Sequence, residues 1–584
     1  MPPVRYLRML TNAVAGGLLA VSYLMVLLLQ LNPQVPAVSM MALHWMGALL
    51  AFYGPYFSVA LYFLILFREL TASRPLQPAW ISVRTLAWLG AVCAAGAAAL
   101  MWANLSGFRT VLDDAAAERM RQGAIATSIA AGVLVALAVF RYSFGRRGSR
   151  ATAALLVVSM ALSVGVPIGF RGPGDPNVPM ARLMRPAPPQ VAAAPRVRLL
   201  VFDGASLGFI RQRVAAGQLP NFGRLLDRGG VLPLATLKPT QPEPVWAAAA
   251  TGKLPQKNGI RSNAQFVVDA SDTPAVDLLP DYCFAGFLIQ QRFAAEVPRT
   301  SSTLVARPLW DILADYGLTT GITNWPLTYP AHAERGFVVS DRFDDGASSP
   351  LRSVDARAGD PTTAADVARQ SFDRWQALPW REVLPTFAPG ESEPDGFIRA
   401  RWDRAYGEAA LELEQQFAPR LTAVRYEGLE TFGSRYLREA LPEAFGDPRR
   451  ADPHLSVLDR YYGFVDAEIG RAIRDQAPGD LLLVVSGYAV ERTPLAERLL
   501  ARLLRRPEQS GTPAAAADGF LIAYGTTVVH AQLTRGAVVD LAPTVLYYMG
   551  VPVGRDMDGF ARTDLFEAPY TVEHPVKYVG THER

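Results

Sequence analysis

"VRLLVFDG", Val197–Gly204, decides how the second half of this chain folds. A nearly unbroken run of Val, Leu and Phe closed by a polar turn is the pattern of a strand buried on both faces. Asp203–Gly204 supplies the turn. The amphipathic stretch "LGFIRQRVAAGQLPNFGRLLDRGG" follows, and short apolar runs recur downstream in "TGITNWP", "LTAVRYEGLE", "LLLVVSG" and "GFLIAYG". Helical stretches such as "RYYGFVDAEIGRAIRD" and "DLAPTVLYYMG" intervene. Strands alternating with helices predict an α/β fold, a doubly wound and mainly parallel sheet covered on both faces. Such sheets collect ligands at the carboxyl ends of their strands. The residues closing each apolar run are therefore the ones to inspect for chemistry.

Upstream the composition changes. The 584 residues exceed one ordinary core, and 50% of them are hydrophobic, with the excess in the first 170. Five apolar stretches are long enough to span a bilayer: Met9–Leu31, Ser39–Phe67, Trp80–Trp102, Gly123–Phe140 and Ala151–Phe170. The reading is an all-α transmembrane bundle of about five helices over 1–170, a Pro-rich linker over 171–195, and a domain over 196–584. The first stretch is longer than a signal-peptide core and leads through "LNPQVPAV" straight into the next, so it reads as an uncleaved span. Arg5, Arg8, Arg68, Arg74, Arg84, Arg141, Arg146, Arg147 and Arg150 all fall on one side. The positive-inside rule makes that side cytoplasmic. An odd number of spans then puts the N-terminus in the cytoplasm and the C-terminal domain in the periplasm, or outside the cytoplasm generally. His44, beside Trp45 near a span end, suits the membrane interface.

Net charge is +4 with only four lysines and no long basic run, which excludes nucleic acid as a partner. The lipid bilayer is the implied partner, with membrane or envelope proteins beside it. Cys93 lies in a span and Cys283 far from it, so no disulfide framework is expected. The Trp- and charge-rich segment 344–429 reads as an insertion or cap over the sheet edge.

The stretch Leu199–Ile260, "LLVFDGASLGFIRQRVAAGQLPNFGRLLDRGGVLPLATLKPTQPEPVWAAAATGKLPQKNGI", resembles the opening of the alkaline phosphatase superfamily, in its type I phosphodiesterase/nucleotide pyrophosphatase branch. The resemblance continues, in the family's order, in "NWPLTYPAHAERGFVVSDRF", "RYYGFVDAEIGRAI" and "DLAPTVLYYMGVPVGRDMDG". It implies two divalent metals, usually zinc, held by Asp and His beside a Thr or Ser nucleophile. One metal lowers the hydroxyl's pKa and the other polarises the phosphoryl oxygen. On this alignment Asp203 keeps the first ligand position. Pro242 stands at the nucleophile position and has no hydroxyl. The next Asp and His, four residues apart, fall on Glu430 and Ser434, and the strand-end Asp-His pair falls on Gly487 and Tyr488. The last His is missing from "SGTPAAAADG". Asp203 and Glu430 are thus the residual metal ligands, and the metal and nucleophile positions are largely lost.

Other residues offer partial substitutes. The Thr240 hydroxyl could serve as nucleophile, or simply shape a turn. Lys238, Lys253 and Lys257 bracket the old nucleophile loop, as an anion-binding rim or as solvated charge. His332, His454 and His530 fall in loops, and His574 and His582 in a polar tail expected to be exposed. Asp203 itself also suits a strand-to-loop turn. The reading is a membrane-anchored, catalytically degenerate pseudoenzyme that serves as a binding or assembly module and carries no cofactor. The alternative is an active phosphodiesterase/phosphatase-type hydrolase, or an envelope phospho-group transferase, using zinc or another divalent metal in an atypical site.

Overall fold

The computed structural model describes residues 2–71, 80–143, 150–172, 190–191, 194–272, 274–280, 285–344, 353–357, 361–384, 392–446, 456–503, 509–513 and 517–583. The linker lies mostly outside them. The chain divides into two compact units. One comprises Met1–Met180 with Ala264–Pro298, the other Ala181–Asn263 with Arg299–Arg584.

The first unit is built on helices α1 (Pro2–Leu31), α2 (Met40–Thr71), α3 (Val83–Gly107), α4 (Asp114–Ser143) and α5 (Arg150–Arg171). All five are long and apolar enough to cross a membrane. Where α3 meets α4, Ala87, Ala91, Ala94, Ala131 and Ala138 are buried, and such small side chains let helix backbones approach closely. The carbonyls left open at the end of α1 are taken up by Arg171, whose Nε donates to Leu29 O at 2.6 Å and Nη2 to Asn32 O at 2.9 Å.

Residues 264–298 correct the expected domain boundary. Sequence reading assigned them to the second domain, yet they belong to the helical unit. Strands Ala264–Val267 and Ala295–Pro298 pair antiparallel. Val276 and Leu288 are buried in one cluster with Leu28, Trp45 and Phe52. Asn32 is satisfied by this excursion: its Nδ2 donates to Leu278 O at 2.9 Å, and its Oδ1 accepts from Asp277 N at 2.8 Å. His44 meets Asp272 of the excursion at 2.8 Å. The physical reason is simple. The apolar side chains of the excursion find their burial on α1 and α2.

The second unit is organised by a ten-stranded sheet. Its main strands are β1 (Val197–Phe202), β2 (Gly230–Ala235), β3 (Thr320–Thr323), β4 (Gly336–Val339), β5 (Val354–Arg357), β6 (Leu421–Tyr426), β7 (Leu481–Tyr488) and β8 (Asp518–Tyr524). They lie in the order β2-β8-β7-β1-β6-β3-β4-β5, with two short strands beyond β2. From β7 to β4 neighbours are parallel; β8 is antiparallel to β2 and β7, and β5 to β4. Successive residues point to opposite faces. Leu199, Val201, Leu483 and Val485 enter one core, while Leu200, Phe202, Leu482 and Val484 enter the other.

The segment 344–429 is more than a cap. It contributes β5 at the sheet edge and β6 in its middle, paired to β1 and β3. Every residue of "LTAVRY" is buried, which only an interior strand allows. The helices that bear on the site are α6 (Leu207–Ala215), α7 (Pro242–Thr251), α8 (Phe397–Phe417), α9 (Gly428–Ala440) and α10 (Val457–Arg474).

Candidate functional site

Asp203 leaves the end of β1 fully buried. The next residue, Gly204, has φ +77°, and a Cβ there would lie 2.7 Å from Glu430 Cα. Only glycine lets the end of β1 come so close to α9. Both oxygens of the Asp203 carboxylate are then engaged. Its Oδ2 accepts from Arg425 Nε at 2.9 Å and Nη2 at 2.5 Å, and its Oδ1 accepts from Trp246 Nε1 at 2.7 Å. Arg425 comes from β6, the neighbouring strand, and its Nη1 donates to Glu427 Oε1 at 2.9 Å. Arg399 on α8 pairs with Asp344 at 2.8 Å and lies 3.4 Å from Glu427. Opposite, the Tyr488 hydroxyl donates to Glu430 Oε2 at 2.5 Å.

Electrostatics follow from burial and these pairings. Burial pushes the Asp203 carboxyl up, and Arg425 and Trp246 pull it back. Burial works against the Arg425 cation, but Asp203 and Glu427 outweigh it and hold the guanidinium charged. Glu427 is likewise buried, yet Arg425 and Arg399 keep its carboxyl below the usual range. Glu430 rises to about 7 through burial and the nearby Asp203 charge. Burial also lifts Asp403 to about 7; its carboxylate caps α9 by accepting from Glu427 N at 3.0 Å and Gly428 N at 2.8 Å.

The positions that the resemblance assigns to metal ligands are closed. Gly487 has no room for a side chain, because a Cβ would overlap Val245 Cγ1 and sit 3.3 Å from Trp246 Cη2. Tyr488 and Ser434 are buried. Pro242 opens α7, where its missing N–H has no intrahelical partner to lose. Thr240 is held in the preceding turn, its hydroxyl donating to Leu237 O at 2.9 Å. Beside Pro242, burial lifts the Glu243 carboxyl to about 7.

The metals implied by the family were tested against this donor set. A divalent site of that kind takes about three or four N, O or S ligands. Among the described residues no group of three or more His, Cys, Asp or Glu side chains is placed to hold an ion. Both oxygens of Asp203 are engaged, and Glu430 is bonded to Tyr488. These residues do not fit the metal pair; the chain's own cation, Arg425, lies against the carboxylate instead.

The other candidates go elsewhere. Lys253 donates to Asp556 at 2.6 Å and Glu583 at 2.7 Å, and Lys257 to Asp558 at 2.5 Å. Those acids neutralise the expected anion-binding rim, while Lys238 is exposed in the loop before α7. His332 is exposed beside Glu334 at 3.4 Å, His530 is exposed, and His574 stacks on Tyr570. His582 is half-buried rather than exposed, 2.8 Å from Pro552 O. His454 and Cys283 lie outside the described residues. Sequence reasoning missed Arg425, Trp246, Glu427 and Arg399. The signal for Arg425 was present: a lone charge inside the otherwise apolar run "LTAVRY" needs a buried counter-charge.

The family model for type I phosphodiesterase/nucleotide pyrophosphatase matches residues 197–510. A search of curated proteins returned no match. Among solved structures, human ectonucleotide pyrophosphatase/phosphodiesterase 5 is 12% identical, covering 64% of this chain and 100% of that one, with a TM-score of 0.38. A variant of the alkaline phosphatase PafA is 10% identical over 65% of this chain and 100% of its own, with a TM-score of 0.42. Phosphonoacetate hydrolase from Sinorhizobium meliloti is 16% identical over 54% and 63%, with a TM-score of 0.33. The matched residues run from the first strand of the sheet past the end of β7, more than half of the chain, and the chain belongs to the type I phosphodiesterase/nucleotide pyrophosphatase family.

Proposed function

We propose that this protein is a catalytically silent member of its family, held in the cytoplasmic membrane by five helices and serving as a binding or assembly module outside the cytoplasm. One observation carries the reading: the Arg425 guanidinium grips Asp203 with two N–H groups at 2.9 and 2.5 Å. Charge-assisted pairs of this kind are strong and directional. A buried carboxylate so paired already has a cation of the chain itself where a metal would stand, and three of its roughly four acceptor sites are taken. Pro242 gives the centre no nucleophile, and the filled space at Gly487 blocks a simple return of its ligand. The orientation rests on the arginines at one end of the spans, among them Arg5, Arg8, Arg68 and Arg84.

The test uses the full-length protein in detergent. Zinc and manganese content are measured beside turnover of bis-p-nitrophenyl phosphate and p-nitrophenyl phosphate. Substoichiometric metal and no turnover above buffer are expected. Stoichiometric metal with hydrolysis abolished by Asp203→Ala would overturn the proposal and establish the hydrolase or transferase reading.

A further inference from the structure

A second polar cluster lies beside a cleft that Gly204 also lines, and two of its arginines have no ion-pair partner among the described residues. Here α6, α9 and α10 leave a cleft of about 260 Å³, walled by Phe209, Leu429, Leu437, Leu458 and Val490 and ending at Phe445. Around that one phenyl ring stand three guanidinium groups. Arg492, Arg438 and Arg498 place their central carbons 5.1, 5.3 and 5.8 Å from its centroid. Each such contact is worth only about 0.5–1 kcal/mol at a partly exposed site, and like charges gathered on one ring repel each other. Arg492 uses one N–H on Ala444 O at 2.6 Å. The Arg498 Nε is buried with no hydrogen-bond partner. Among the described residues neither Arg492 nor Arg498 has an ion-pair partner. Glu491 is the one carboxylate in the lining, and burial pushes its carboxyl up.

A largely apolar cleft just below the usual ligand-pocket range, about 300–1,000 Å³, with Arg492 in its lining and Arg498 beside it at Phe445, has a definite complement. Arginine recognises carboxylate and phosphate through its planar fork, and the aliphatic walls accept a chain. We propose that this cleft binds an anionic amphiphile, a single alkyl chain carrying a carboxylate or phosphate monoester, with the head on Arg492 and Arg498 and the chain along Leu429, Leu437 and Leu458. The site is separate from the Asp203 centre and does not depend on that centre being silent.

The experiment is calorimetric titration of the full-length protein in nanodiscs of zwitterionic lipid, corrected with empty nanodiscs. The probes are octyl phosphate, octanoate, inorganic phosphate and octylamine. Octyl phosphate or octanoate should bind saturably, and inorganic phosphate and octylamine at least roughly tenfold more weakly, a gap of about 1.4 kcal/mol. The double substitution Arg492→Ala/Arg498→Ala should weaken the octyl anion by at least about tenfold, and Leu437→Trp should block it by filling the cleft. Three results would overturn the proposal: inorganic phosphate binding as tightly as octyl phosphate, octylamine binding as tightly or more so, or no saturable binding by either octyl anion. The ligand comparison on the unaltered protein stands even if a variant misfolds.

Discussion

Two polar clusters lie near Gly204, and they differ in whether their charges are answered from within. At Asp203 every charge has a partner on a neighbouring strand or helix: Arg425, Trp246, Glu427 and Arg399 close the network. At Phe445 three arginines converge without such answers for Arg492 and Arg498. The same edge of one sheet therefore holds a finished electrostatic problem and an unfinished one. Closure marks structure, and an open set of donors marks a place for something the chain does not supply.

Breaking the closed cluster should have the largest effect. Arg425→Met leaves Asp203 buried without its cation, and removing one partner of a buried pair costs about 3–5 kcal/mol. Denaturant unfolding of the full-length protein, followed by tryptophan fluorescence, measures it. Asp203→Leu combined with Arg425→Met should cost less than Arg425→Met alone, since both charges leave together. Equal losses would mean that the pair is incidental.

Next comes restoration of the old ligand. Gly487→Asp should destabilise the second unit by about 1–3 kcal/mol through overpacking against Val245 and Trp246, and metal content should stay flat. A rise in bound zinc with unchanged stability would show that the space reopens readily.

The pH dependence sharpens the contrast from another side. Glu430, Asp403 and Glu243 each rise to about 7 in the folded protein, from ordinary values near 4 to 4.5. Between those limits the folded state holds protons that the unfolded chain has released, so these groups favour folding at lower pH and the benefit fades as pH rises through about 7. The slope is on the order of 1 kcal/mol per pH unit for each group in that window. Melting temperature should therefore climb from pH 7.5 to 5.5, and Glu430→Gln should flatten part of that climb. A centre held by metal would show the reverse, since acid protonates its ligands.

The smallest effect is expected at the open cluster. Arg492→Ala should change stability by less than about 0.5 kcal/mol, as for a surface residue without partners. A loss above 2 kcal/mol would make the arginines structural and erase the difference between the two sites.

The sheet was legible because "VRLLVFDG" and "LLLVVSG" are buried strands with no other ready habit, and the five apolar helices because their length and composition leave little choice. Pro242, Ser434, Gly487 and Tyr488 could be identified one by one because the resemblance runs in register with the chain. Arg425 was not connected to Asp203, because parallel pairing of β1 with β6 joins positions more than 200 residues apart and no local pattern encodes that register. The partners of Lys253 and Lys257 were illegible for the same reason: Asp556, Asp558 and Glu583 lie about 300 residues further along the chain. The excursion over 264–298 escaped because its apolar residues look like any core segment until their burial partners are known.

That excursion has a practical consequence. The polypeptide passes between the two units not once, at the Pro-rich linker, but three times, counting its departure after Asn263 and its return at Arg299. Proteolysis at the linker alone would therefore release no free soluble fragment. A truncation starting at residue 196 would carry the 264–298 hairpin stripped of α1 and α2, with Val276 and Leu288 turned toward water. Such a fragment should be sticky and aggregate, while the same fragment with 264–298 replaced by a short Gly-Ser bridge should stay dispersed. The helices are thus wired into the protein as a scaffold for a returning loop, and not merely as a leash for the sheet unit.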